Sequence, residues 1–161
     1  MSKHFFFYPI FIGMVFIASL GFSQERSTLH KSTVARYQRK ILEKESAWRF
    51  AERLQKDGTV IDVWTSGGKQ IQIEIYDSKS PEEAAKTLQG RMNSSSDGAR
   101  KTKIEGLGDE AYEKLSMSGS IIFYRQRNLV IVILPTIGKG EDASEIPKRF
   151  ARYLADSIDG K

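Results

Sequence analysis

The sequence predicts an α+β fold in which helices pack on an antiparallel sheet of about five strands, in the order α-ββ-α-βββ-α. Three observations lead to this prediction: two strand-like segments flank the pair Gly67-Gly68, further strand-like segments occupy residues 110–135, and amphipathic segments precede, separate and follow them. Because sequential strands usually pair with their neighbours, an antiparallel sheet with helices on its faces is the simplest arrangement.

The N-terminus carries a targeting pattern. Lys3 precedes an apolar run over residues 5–22, and Gly21 and Ser23 suit the small-residue positions of a cleavage site before Gln24. Residues 1–23 are therefore predicted to be a signal peptide. Because the run approaches the length of a membrane span, the alternative is an uncleaved anchor formed by residues 5–22. Both alternatives place the domain outside the cytoplasm, in the periplasm or the medium.

Residues 24–58 are predicted to form an N-terminal amphipathic helix. Tyr37, Ile41 and Trp48 recur at helical spacing, and the Asp57-Gly58 pair is a stop signal. Residues 59–161 are predicted to form the α+β domain, which begins with a hairpin of strands 59–65 and 70–76.

The second strand of this hairpin alternates strictly, with isoleucines on one face and polar residues on the other. We expect Trp64 and Tyr76 to lie opposite the isoleucines, and Tyr124 of a later strand to share their face. These three residues are the candidate binding surface. The interpretation that the sequence favours is that the N-terminal helix covers this face with Trp48 and Phe50, and the face is a binding surface if the helix does not.

The remaining elements follow from caps and periodicity. Ser80 and Pro81 are typical of a helix start, and strands are predicted near residues 110–116, 120–127 and 129–135. The last of these, LVIVIL, is apolar on both faces, which predicts a central strand covered on both sides. The C-terminal segment has an apolar residue at every fourth position from Ile146 and is predicted to be a helix.

The stretch GLGDEAY, residues 106–112, has two adjacent carboxylates and could be mistaken for a catalytic loop. Gly106 and Gly108 permit unusual backbone angles, which indicates a turn. Asp109 and Glu110 would point to opposite faces of the strand that follows, so they cannot converge on one bond. The stretch is therefore predicted to be a turn and the start of a strand.

The chain resembles small exported bacterial domains of uncharacterised function. The resemblance rests on SPEEAAKTL after an isoleucine strand, on GLGDEAY, on RNLVIVIL and on the C-terminal amphipathic helix, and it covers residues 59–160. It implies an α+β fold and export but no activity. Some members of this group are lipoproteins, and the present sequence lacks the cysteine that carries their lipid.

Composition excludes several chemistries. The sequence contains no cysteine, so thiolate catalysis, cysteine-ligated metals and iron–sulfur clusters are excluded. Its histidines are His4 and His30. No basic run indicates nucleic-acid binding despite a net charge of +5. The sequence predicts no cofactor and a non-catalytic binding or interaction module of the cell envelope, acting on an envelope protein or ligand. The alternative is a small cofactor-free hydrolase that uses carboxylates or a Ser–Lys pair.

We expect the exported protein to begin at Gln24, because the apolar run ends beside a small-residue cleavage site. N-terminal sequencing of the protein isolated from its host would check this. Membrane-bound protein that retains Met1 would instead show an uncleaved anchor.

Overall fold

The computed structural model of the chain describes residues 31–56, 58–94, 100–137 and 142–161. The predicted signal peptide and its cleavage site lie outside the described residues. In chain order the described elements are α1 Lys31–Lys44, β1 Arg49–Lys56, β2 Thr59–Ser66, β3 Lys69–Asp77, α2 Pro81–Ser94, β4 Lys101–Lys103, β5 Glu110–Ser116, β6 Gly119–Gln126, β7 Leu129–Thr136 and α3 Asp142–Asp159. No helix in these ranges is long and apolar enough to cross a membrane.

The strands form one antiparallel sheet, which confirms the predicted α+β class. The sheet has seven strands in the order β1-β2-β3-β7-β6-β5-β4, rather than about five. The element order is accordingly α-βββ-α-ββββ-α, and the predicted order α-ββ-α-βββ-α is wrong. The two unpredicted strands, β1 and β4, are the two edges of the sheet.

Strand β1 corrects the predicted long N-terminal helix over residues 24–58. The helix ends at Lys44, and RFAERLQK pairs as an antiparallel edge strand with β2, from Arg49 opposite Thr65 to Lys56 opposite Thr59. Arginine, alanine, glutamate and leucine favour helices, but pairing with a neighbouring strand outweighs this local preference. Gly58, with φ of +75°, lies in the turn between β1 and β2 rather than at a helix end.

Helices cover both faces of the sheet. Helices α1 and α3 lie on the face that carries the isoleucines of β3, where Tyr37, Ile41 and Phe150 are fully buried. Helix α2 lies on the other face and packs Leu88 and Met92 against β6 and β7. The N-terminal helix therefore covers the isoleucine face, and the expectation that it covers the opposite face is wrong.

The hairpin of β2 and β3 forms as predicted, but the face assigned to Trp64 is wrong. Gly67 and Gly68 have φ angles of +53° and +81°, which suit a two-residue turn. Ser66 consequently pairs with Lys69, and Trp64 pairs directly with Ile71. Because directly paired residues project on the same side, Trp64 shares the isoleucine face.

Strand β7 lies in the middle of the sheet, as its apolar sequence predicts. It pairs with β3 on one side and β6 on the other, and Ile133 lies between Ile73 and Ile122. Ile131 and Ile133 face α1 and α3, whereas Val130 and Val132 face α2. The strand is therefore covered on both sides.

The stretch GLGDEAY forms a turn followed by the start of β5, as predicted. Gly108 has φ of +58°, and the Asp109 amide donates to the Arg125 carbonyl at 2.8 Å. Asp109 Oδ2 accepts hydrogen bonds from the Arg127 amide at 2.7 Å and from Arg125 Nη1 at 3.0 Å. Since Arg127 is itself left-handed, with φ of +58°, Asp109 stabilises the turn between β6 and β7.

We expect Gly108→Ala to lower the free energy of unfolding by about 2–4 kcal/mol. An added Cβ would lie 2.4 Å from the Arg125 carbonyl oxygen, in addition to the strain of a positive φ. Urea unfolding would measure the loss. Gly106→Ala is the matched control, because Gly106 has φ of +73° but open space around it. Equal losses in the two variants would contradict the importance of the close contact.

Candidate functional site

The structure does not bring the three predicted surface residues together. Trp64 and Tyr124 are both 0% exposed and lie on the face covered by α1 and α3. Tyr76 alone lies on the α2 face, where it is half-buried. Trp64 and Tyr124 therefore cannot contact a ligand at the surface.

Trp64 instead belongs to an aromatic cluster inside the protein. Its ring lies 5.3 Å from that of Phe50 and 5.8 Å from that of Phe150, both in edge-to-face geometry. The ring of Trp48 lies 5.3 Å from that of Phe150, also in edge-to-face geometry. These contacts join β1, β2 and α3, so the cluster stabilises the fold.

The α2 face contains an open groove between the C-terminal half of α2 and the sheet. The groove encloses about 130 Å³, and we call it the α2 groove. It is lined by Glu74, Arg91, Ser94, Ile121, Phe123, Val132 and Leu134. The apolar part of this lining comes from β6 and β7, where Ile121 and Leu134 are half-buried and Phe123 and Val132 are buried.

A polar cluster built around Tyr76 borders this groove. The Tyr76 hydroxyl and Gln72 Nε2 both donate to the Glu74 carboxylate, the latter at 2.8 Å. Arg91 of α2 lies over the Tyr76 ring, with Cζ 4.1 Å from the ring centre. Burial raises the pKa of Tyr76 above its usual value, and the bond to Glu74 raises it further, so the hydroxyl remains a donor at neutral pH.

The two charges of the α2 groove are not neutralised by each other. Among the described residues, no cation lies within 4 Å of the Glu74 carboxylate, and no carboxylate lies within that distance of Arg91. Glu74 is half-buried, whereas Arg91 is exposed to water. The carboxylate is therefore the less hydrated charge, and it can still accept a cation.

A larger cleft lies between the end of α1, the start of α3 and the β2–β3 turn. It encloses about 290 Å³ and contains Lys44, Lys69 and Arg149. Arg149 donates to both oxygens of Glu45, at 2.6 and 3.1 Å, and Lys69 lies 3.5 Å from Asp142. Its carboxylates already have cationic partners, so these ion pairs connect helices and the turn rather than present free charge.

A Ser–Lys pair with hydrogen-bonding geometry lies at the start of α3. Lys148 Nζ donates to Ser144 Oγ at 3.0 Å, and Ser144 donates to Glu113 at 2.9 Å. Burial would lower the pKa of Lys148, but hydrogen bonds to Glu113 and Glu145 raise it above its usual value. The ammonium therefore stays protonated at neutral pH and cannot take a proton from Ser144.

Sequence reasoning located part of the α2 groove. The alternation in QIQIEIY places Glu74 on the same face as Tyr76, which the structure confirms. The contribution of Arg91 was not predicted, because the position of α2 on the sheet depends on packing between distant segments. Within the described ranges no group of three or more potential ligand side chains could hold a metal ion.

Comparison with known proteins gives no relative from which a role could be transferred. No protein-family model, curated protein or solved structure matches this chain. The functional argument therefore depends on the geometry of the chain itself.

The carboxylate of Asp62 is buried in the layer between the sheet and α1. Asp62 is 0% exposed, and Arg53 of β1 donates to both of its oxygens at 2.6 Å while also donating to the Tyr37 hydroxyl at 2.9 Å. Burial raises the pKa of Asp62 from 3.8 to about 7. The adjacent guanidinium favours the ionised form, so without Arg53 the pKa would be higher still.

We expect Arg53→Met to lower the stability at pH 8 by about 3–5 kcal/mol, because the Asp62 carboxylate is left buried without a cation. The pKa of Asp62 is higher in the folded state than in the unfolded state. Its contribution to stability is therefore fully present below the unfolded-state pKa and is lost as the pH rises through the folded-state pKa. The loss in Arg53→Met should therefore be smaller at pH 5 than at pH 8.

Urea unfolding across this pH range would measure the effect. The double variant Arg53→Met/Asp62→Asn is the control, since it should lose the added pH dependence. Parallel stability curves for Arg53→Met and the unmodified protein would contradict the assignment to Asp62.

Proposed function

We propose that the protein is a non-catalytic binding module of the cell envelope and that the α2 groove is its binding site. The observation that carries the proposal is an open apolar floor beside Glu74, a half-buried carboxylate with no cationic partner among the described residues. Apolar surface that remains open next to a fixed charge is a common feature of recognition sites.

The dimensions of the groove favour a side chain over a small-molecule cofactor. Pockets for drug-sized ligands have volumes of roughly 300–1,000 Å³, and the α2 groove encloses about 130 Å³. The occupant we propose is an extended segment of a partner protein, with one large apolar side chain in the groove and a lysine or arginine beside it. The basic group would bond to Glu74, which charge complementarity favours.

Export belongs to the same proposal. A signal peptide over residues 1–23 would deliver the domain to the periplasm or the medium, where its partner would be an envelope protein or ligand. The proposal requires no cofactor.

A hydrolase is the less favoured alternative. Ser144, Lys148 and Glu113 have the residue types of such an enzyme, but the raised pKa of Lys148 keeps its ammonium protonated. Burial raises the pKa of Glu113, but hydrogen bonds from Ser144 and Lys148 bring it below its usual value, so this carboxylate is a weak base for the Ser144 hydroxyl. The α2 groove offers one carboxylate, Glu74, which already accepts bonds from Gln72 and Tyr76. These features support binding rather than bond cleavage.

We expect a short peptide with leucine followed by lysine to shift the NMR signals of Glu74, Tyr76, Ile121 and Leu134 in the full chain. Glu74→Gln should weaken this binding by about tenfold to a hundredfold, since a charged hydrogen bond contributes about 1.5–3 kcal/mol. A peptide with glutamate in place of lysine should bind more weakly to the unmodified protein than the lysine peptide does.

Glu105→Gln is the matched control for this experiment. Glu105 is an exposed carboxylate whose described partner is Lys103, at 3.0 Å, so its replacement should leave peptide binding unchanged. Signal changes confined to the cleft between α1 and α3, or equal affinity of Glu74→Gln and the unmodified protein, would contradict the proposed site.

A further inference from the structure

The turn between β5 and β6 presents two large apolar side chains to water. Leu115 is 64% exposed and Met117 is 87% exposed, the highest values among the large apolar side chains in the described part of the chain. The two residues lie on one hairpin, and Met117 is at its apex, between the paired residues Ser116 and Gly119. This pair is separate from the α2 groove, whose lining includes neither Leu115 nor Met117.

The apex of this hairpin is held in place. Ser116 Oγ donates to the Gly119 carbonyl at 2.7 Å and accepts from the Ser118 amide at 3.2 Å. The Ile137 amide donates to the Ser118 carbonyl at 2.9 Å, which attaches the apex to the end of β7. Gly119 lies so close to Ala143 and Pro135 that an added Cβ would be 2.9 Å from each of them. Leu115 and Met117 therefore project from a supported turn.

Two basic residues, Arg100 and Lys101, lie beside the apex. Lys101 is the backbone partner of Lys114 where β4 pairs with β5, and Lys114 directly precedes Leu115. Arg100 precedes Lys101 on the same exposed edge. Neither Arg100 nor Lys101 has a carboxylate within 4 Å among the residues that the structure describes, and Lys101 bonds instead to the Asn93 side chain.

Three described carboxylates at this end of the sheet, those of Glu113, Glu145 and Asp142, have cationic partners. Lys148 bonds to Glu113 at 3.1 Å and to Glu145 at 3.3 Å. Lys69, at the start of β3, lies 3.5 Å from Asp142. Among the described residues the charge without a partner beside the apex is therefore positive.

We propose that the β5–β6 turn is a contact site for an anionic lipid surface. Leu115 and Met117 enter the interface between headgroups and acyl chains, and Arg100 and Lys101 lie near the anionic headgroups. Apolar side chains flanked by lysine and arginine are the combination that holds a protein segment in a membrane interface. A convex apex needs no matching cavity in its partner, because a fluid lipid surface deforms around it.

The absence of cysteine permits a test in the full chain. A single cysteine introduced as Ser118→Cys, labelled with an environment-sensitive fluorophore, reports on the apex and retains Leu115 and Met117. On vesicles of phosphatidylglycerol and phosphatidylethanolamine its emission should shift to shorter wavelength, and on phosphatidylcholine vesicles it should not. Replacing Arg100 and Lys101 with glutamine should weaken the response by roughly tenfold or more.

Two further variants separate contact by the apex from binding by other parts of the chain. In the Ser118→Cys background, Leu115→Ser/Met117→Ser should abolish the shift while leaving the thermal unfolding midpoint nearly unchanged, because both side chains are exposed. A label at Leu42→Cys, an exposed position on α1, should not shift. The proposal is wrong if the apex label does not respond to anionic vesicles, if it responds equally to phosphatidylcholine, or if the Leu42→Cys label responds to the same extent.

Discussion

The need to cover β7 on both faces organises the rest of the molecule. Every residue of this strand from Leu129 to Ile133 is buried, and its two sets of side chains point into different layers. An apolar strand of this kind is stable only when helices pack on both sides of the sheet. The chain meets this requirement by pairing β7 with β3 and β6, so that the hairpins formed before and after α2 become one sheet.

The unequal number of helices on the two faces accounts for the candidate site. Helices α1 and α3 together cover one face, whereas α2 covers mainly β6 and β7 on the other. The α2 groove begins where this coverage ends, and its charged groups lie at that boundary. Tyr76 links the boundary to the helix, because its ring contacts Arg91 while its hydroxyl bonds to Glu74. The site is therefore a consequence of incomplete coverage of the sheet.

Local sequence signals predicted most elements, and the errors have identifiable causes. The caps of α2, the Gly67-Gly68 turn and the doubly apolar β7 are encoded by neighbouring residues, which is why they could be read directly. Strand β1 could not be predicted from its own residues, because RFAERLQK consists largely of helix-favouring residues. It becomes a strand through pairing with β2. The pair Asp57-Gly58 is a hairpin signal as much as a helix stop, and it was the available indication of β1.

The candidate site was predictable only in part for a similar reason. Alternation along β3 assigns Tyr76 and Glu74 to one face. The two-residue turn also specifies which residues of β2 and β3 pair, and this pairing places Trp64 beside the isoleucines. The approach of Arg91 depends on where α2 lies on the sheet. That position results from packing of Leu88 and Met92 against strands far along the chain, which no local pattern specifies.

The ion pair between Arg53 and Asp62 affects which strand can occupy the edge of the sheet beside β2. Strand β1 is exposed along its whole length, and such edges invite strand exchange with a second copy. Here the strand cannot peel away without leaving the Asp62 carboxylate unpaired and uncovering Trp64, which Phe50 contacts. A different strand in the place of β1 would lack the guanidinium and would leave the Asp62 carboxylate buried without a cation. A residue inside the sheet thereby selects β1 as the strand that pairs with β2.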